Sequence, residues 1–223
     1  MDLLVTHTHW DHIQGLPFFV PFYGKTNAVR IWGPKQGEVD LEKILREQMN
    51  PVVFPVPLDQ LAADLSVSHV EPGTFEVDGF RVQAMRLRHP GVTLGYRLTP
   101  RQGGASIAYV TDNELGSGGD YGVGPEWRKE LVSFLADTDV VIHDAMYTTD
   151  ELQHHVGWGH SSHKEAVELA AEAGVKTVVL FHHRPEHDDD AMDAFVAEAR
   201  AMADQLSGSL EVLGASEGMQ LNL

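Results

Sequence analysis

Thr6-His7-Thr8-His9-Trp10-Asp11-His12 puts three imidazoles and one carboxylate within six positions, directly after an apolar run. Neutral imidazole and carboxylate are donors that Zn²⁺ takes, and Mn²⁺ and Fe take them as well. In a strand, His7 and His9 would alternate onto one face, and a tight turn would then swing Asp11 and His12 inward. Core packing has no use for such a cluster, because these side chains are rarely buried unless they are paired.

Further ligand-type residues fall where apolar runs end. Arg88-His89-Pro90 is followed by Gly95-Tyr96-Arg97, Tyr109-Val110-Thr111 leads into Asp112, and Val178-Val179-Leu180-Phe181 leads into His182. Two more segments join polar groups of the same kind: His143-Asp144-Ala145-Met146-Tyr147 and Gly159-His160-Ser161-Ser162. The chain holds 13 histidines against 9 phenylalanines and 5 tyrosines, so histidine is supplied beyond what a core needs.

In order, and across nearly the whole chain, these motifs resemble the signature of the metallo-β-lactamase superfamily, nearest to its tRNase Z-like and phosphodiesterase branch. The resemblance implies an α+β fold, a four-layer αββα sandwich, with a dinuclear metal centre. His7, His9 and His89 would hold the first metal, Asp11, His12 and His182 the second, and Asp112 would bridge them. His182 is taken over the adjacent His183 because it directly follows the strand. The expected cofactors are two divalent ions, Zn²⁺ first, with Mn²⁺ or Fe as alternatives. Ions about 4 Å apart clamp the attacking and leaving oxygens of an in-line displacement and lower the pKa of a water between them. Asp11 could also orient that nucleophile or take its proton. His160 matches the branch's loop histidine, which acts on the phosphate or the leaving group, and Asp144 would orient it.

Three departures bear on the substrate. Asp144 stands where tRNase Z has glutamate. Arg184-Pro185-Glu186 replaces the usual Ser-Pro-Arg, and no long basic Gly/Pro-rich insertion is present. The formal charge is −17, which disfavours a surface for extended nucleic acid, since neutralising phosphates takes clustered Lys and Arg. The expectation is therefore hydrolysis of a small phosphodiester or cyclic nucleotide. The alternatives are a lactone, β-lactam or thioester hydrolase of the same fold, a tRNA 3′-processing endonuclease, and a metal-binding sensor domain without turnover. A homodimer is expected from the relatives.

These residues need strands that end on them. Stretches 1–6, 29–33, 65–70, 74–77, 80–88, 92–98, 105–111, 139–143, 175–181, 210–213 and 217–222 read as strands, and Asp78-Gly79 as a hairpin turn. Segments 41–49, 163–173 and 189–206 read as helices, and Pro125 as the start of another that runs to about Ala136. Ser162 and Glu165 form a capping box, and Gly174 a stop. A single domain over 1–223 is expected.

The remaining composition excludes some chemistries. Cysteine is absent, so disulfides, thiolate metal sites and a cysteine nucleophile are ruled out. No run of 18 apolar residues suggests a membrane helix, and the N-terminus does not read as a leader, so a cytoplasmic location is expected. Relatives carry further strands ahead of the histidine motif. Only six residues precede His7, so one sheet is expected to lack its first strands, and a partner chain could cover the exposed edge. His143 reads equally as a core or a site residue. His154, His155, His163 and His187 read as surface or supporting groups, Arg184 as a phosphate contact or a surface ion pair, and Trp10, Phe18, Phe19 and Phe22 as core or pocket wall.

Overall fold

A computed structural model describes residues 1–116, 118–206 and 208–223. The N-terminal apolar run forms a short strand, β1 (Asp2–Leu4), in parallel with β2 (Ala28–Gly33), which pairs in parallel with β3 (Asp64–His69). Strand alternation gives β2 two working faces. Val29 and Ile31 are buried with Leu41 and Leu45, the apolar stripe of helix α2 (Leu41–Gln48), while Trp32 points the other way and stacks on Phe75 of a second sheet.

That second sheet has seven strands among the described residues, lying side by side in the reverse of their order in the chain. Its first half is an antiparallel meander: β4 (Gly73–Val77), β5 (Phe80–Arg86), β6 (Leu94–Pro100) and β7 (Ile107–Val110). Asp78 and Gly79 join β4 to β5 with φ of 43° and 85°, the left-handed pair that a two-residue hairpin needs. The second half is parallel: β8 (Val140–Asp144), β9 (Thr177–Phe181) and β10 (Glu211–Gly214). Parallel neighbours require crossovers. These are made by α3 (Trp127–Leu135), α5 (His163–Glu172) and α6 (Asp189–Leu206), whose Leu131, Leu135, Val167, Ala170, Phe195 and Ala199 close one core against the outer face of the sheet. A third core, with Val82, Ala84, Tyr96, Leu4 and Trp32, lies between the two sheets. The layers are therefore helix, sheet, sheet, helix, the αββα sandwich. No helix among the described residues is long and apolar enough to cross a membrane.

Four local readings change. The N-terminal strand stops at Leu4, so His7 and His9 do not alternate on a strand face. The chain leaves the first sheet there and crosses toward the second: Val5 N still donates to Trp32 O, but Thr6 O already accepts from Leu94 N. Segment 217–222 forms no strand, because its residues lie exposed beyond β10 with no neighbouring strand to pair with. Pro125 precedes the helix that starts at Trp127. A short helix, α4 (Thr149–Leu152), arises from a second capping box, Thr148 with Glu151. The capping box at Ser162 and Glu165 opens α5, and Gly174 follows it with φ 67°.

Candidate metal centre

Five segments meet where the sheets open. Tyr96 Oη donates to Val5 O at 2.8 Å, and with the Leu94–Thr6 bond this draws the crossing segment onto β6 and buries His7. The next turn is helix α1 (Trp10–Ile13), with His9 as its extended N-cap and Asp11 and His12 on its first turn. His89 lies just past β5, Asp112 just past β7 and His182 just past β9, while Asp144 ends β8. Three of these positions are carboxyl ends of parallel strands, where α/β sheets place ligands. Asp112 and His182 have φ of 54° and 59°. A left-handed backbone at non-glycine residues costs free energy and clusters at functional sites.

All seven donors named from the motifs are brought together, in two overlapping sets. His7, His9, His89 and Asp112 form one, Asp11, His12, Asp112 and His182 the other, each with one ligand atom per residue within 4.8 Å of the rest. Asp112 touches both sets. Oδ2 lies 3.5 Å from His7 Nε2 and 3.6 Å from His89 Nε2, Oδ1 lies 3.5 Å from His182 Nε2, and His12 Nε2 lies 3.1 Å from both oxygens. Asp11 Oδ2 lies 3.2 Å from His12 Nε2 and 3.3 Å from His182 Nε2. A third set extends the cluster: Asp112, Asp144, His160 and His182. His160 Nδ1 donates to Asp144 Oδ2 at 2.7 Å, and its ring lies flat over His182 at 5.0 Å.

The donor chemistry fits bound cations. Burial holds His7 down to about 3 and His89 to about 4, so both are neutral near pH 7. His89 Nδ1 donates to Gly159 O, which turns a lone pair at Nε2 into the cluster, and His7 Nε2 is buried without a hydrogen-bond partner. Burial raises the Asp112 carboxyl, but His12, His182 and His7 outweigh it and keep it ionised. A buried imidazole nitrogen without a partner, as at His7 Nε2, beside a buried carboxylate is a donor set that a metal ion would satisfy. For His160, burial works against the charged form, but the hydrogen bond and charge of Asp144 outweigh it and raise its pKa.

The other histidines are used elsewhere. His143 is fully buried, donates from Nδ1 to Asp144 O at 2.6 Å and accepts at Nε2 from Asn113 Nδ2. His183 turns away to Ala215 O and Phe195. His163 is buried against Phe195 rather than exposed, and His187 pairs with Glu151. Arg184 spends Nε on Glu186 and Nη1 on Glu151. Phe22 is in the core, and Trp10 and Phe18, though exposed, line a surface pocket with Ile13, Ile44 and Phe54.

One supporting residue escaped the sequence. Glu114 is buried, accepts from Gly157 N and Gly159 N at 3.0 and 2.9 Å, and accepts from Tyr121 Oη at 2.5 Å. It thereby clamps the loop that offers Gly159 O to His89 and carries His160. Nothing in the spacing of Asn113-Glu114-Leu115 announces this, because the two backbone amides it holds lie more than forty positions away. Glu114→Ala strands one buried and one part-buried N–H group, and a loss of about 2–4 kcal/mol in urea unfolding is expected. Hydrogen exchange at the Gly157 and Gly159 amides should rise with it, and unchanged protection there would show that the loop is held by other means.

The family model described as a beta-lactamase superfamily domain matches residues 2–183. Ribonuclease Z of Bacillus cereus is 24% identical over 240 residues, spanning 90% of this chain and 76% of that protein. Among solved structures, unliganded yeast PDE1 superposes with a TM-score of 0.73 at 18% identity, over 98% of this chain and 67% of that one. The short form of human tRNase Z gives 0.63 at 22% identity, over 98% and 77%.

Proposed function

The chain belongs to the beta-lactamase superfamily and is a metal-dependent hydrolase; from that premise we propose that it hydrolyses phosphodiesters, with His7, His9, His89, Asp11, His12, Asp112 and His182 as ligands of two divalent ions, Zn²⁺ first among them. The observation that carries this reading is the Asp144–His160 pair, set beside the seven donors within 4.8 Å of Asp112 and His182. An ester with a good leaving group needs no such additional imidazole. A phosphodiester expelling an alkoxide does.

Bound there, the two ions would supply Lewis acidity and a nucleophile at neutral pH. The chain's own groups do the rest. Asp144 takes the Nδ1 proton of His160 in a hydrogen bond and so fixes the ring with Nε2 free for substrate. His160 can then donate to a phosphoryl oxygen or protonate the leaving oxygen. Asp11 is half in water. Burial raises its carboxyl, but the charge of His12 and the hydrogen bond from His182 outweigh this, so an anion stands at the mouth of the site. It can orient an incoming water.

A small phosphodiester or cyclic nucleotide suits the charge of −17 and the neutralised Arg184. A second reading, cleavage of an RNA 3′ end, is favoured by the relatives named ribonuclease Z. Pairing of two copies would cover the exposed Phe18, Val20, Val52 and Val53.

The test is turnover of bis-p-nitrophenyl phosphate by protein stripped of metal and reloaded with Zn²⁺ or Mn²⁺, beside a tRNA precursor and a panel of chromogenic esters and lactones. Metal-dependent phosphodiester turnover is expected. Full metal loading with ester or lactone hydrolysis alone would overturn the reading.

A further inference from the structure

The loop between α4 and α5 does more than carry His160. It is tied from several sides: Gly157 N and Gly159 N donate to buried Glu114, Gly159 O accepts from His89 Nδ1, and Trp158 N donates to His155 O. On this tethered loop Trp158 is 61% exposed. The tethered backbone thus presents a large aromatic face to solvent at a set place.

The ring is connected to the metal centre by other rings. Trp158 meets His155 edge to face at 5.1 Å, His155 lies flat on buried Tyr147 at 4.4 Å, and Tyr147 turns an edge to His160 at 6.1 Å. His160 in turn stacks on His182. The row thus runs from the ligand cluster to open solvent. Among the described residues, the nearby guanidinium is already paired. Arg184 is occupied by Glu151 and Glu186, and Glu151 also takes His187. A phosphodiester held through its phosphate can therefore find a flat ring face here, and little that binds a second phosphate.

We infer that Trp158 is a stacking platform for the nucleobase of a nucleotide substrate, with His155 as its buttress. The inference rests on the phosphodiester reading above and narrows its substrate class to esters that bear a planar base. Stacking on an aromatic ring tolerates any base, since every base has a π-face. Adenine and cytosine derivatives should therefore both bind, and recognition should lie in the presence of a base more than in its identity.

Binding is measured by calorimetry on the metal-loaded protein, with adenosine 5′-monophosphate against ribose 5-phosphate, which lacks the base. Wild type should prefer the nucleotide by about tenfold or more. Trp158→Ala should erase the preference, while Trp158→Phe, which keeps a ring, should keep most of it. Equal binding of the two probes by wild type, or a preference that survives in Trp158→Ala, overturns the platform. A shift in sedimentation of Trp158→Ala with its base preference intact also overturns it, and assigns the indole to contact between copies. The readout does not need turnover. Base-dependent binding without phosphodiester hydrolysis would keep the platform and remove the phosphodiesterase reading, whereas hydrolysis of bis-p-nitrophenyl phosphate without a base preference would do the reverse.

Discussion

Asp112→Asn is expected to cut metal content from about two equivalents to one or none and to lower turnover on the order of 10³-fold. The geometry gives the reason. Asp112 presents Oδ2 to His7 and His89, Oδ1 to His182 and both oxygens to His12, so one carboxylate touches both candidate donor sets. An amide keeps the shape but loses the charge and one of the two acceptor oxygens. Asparagine is the right first substitution because the residue sits at φ 54°, where asparagine is tolerated and alanine is strained. Asp112→Ala should add about 1–2 kcal/mol of backbone cost to the same loss of metal, visible as a lower unfolding midpoint. Elemental analysis, turnover and a thermal melt on both variants separate the two effects. An Asn variant that retained both equivalents and a rate within about tenfold of wild type would remove Asp112 as the bridge.

The ligand-type residues were legible because metal chemistry limits the side chains that can serve, and because the chain places them where apolar runs stop. His89, Asp112 and His182 each lie just past a strand. Most elements were legible too, since a capping box, a left-handed Asp-Gly pair and a period of two are local signals. What was not legible depends on contacts distant in sequence. Nothing near His7 shows that β1 ends at Leu4, because the hydrogen bonds that pull Val5 and Thr6 away come from Tyr96 and Leu94. Glu114 and His163 were missed or misplaced for the same reason. Each is a polar residue whose burial is set by an element that packs on it from elsewhere in the chain. The row of rings from Trp158 to His182 could not be read from spacing either, since it joins residues of the α4–α5 loop to the end of β9.

His160→Ala should lower phosphodiester turnover by about 10²–10⁴-fold while metal content stays at the wild-type level. The size of the loss should depend on the leaving group. p-Nitrophenolate departs with little help, so bis-p-nitrophenyl phosphate should show the low end, and a 2′,3′-cyclic nucleotide, which expels an alkoxide, the high end. Equal losses on both substrates would assign His160 to holding the phosphoryl oxygens rather than to protonating the leaving group. A fall in metal content would be more damaging to the reading, because His160 also lies within 4.8 Å of Asp112, Asp144 and His182 and that set can hold an ion itself. Asp144→Asn distinguishes orientation from ligation. The 2.7 Å bond from His160 Nδ1 selects the tautomer with a bare Nε2 when the ring is neutral and favours the imidazolium when it is charged. An amide at 144 weakens both preferences, so turnover should fall toward that of His160→Ala, with metal retained and little further loss in the double variant. Fully additive losses would mean that the two residues act independently, and the pair would then no longer support a phosphodiesterase over an ester hydrolase.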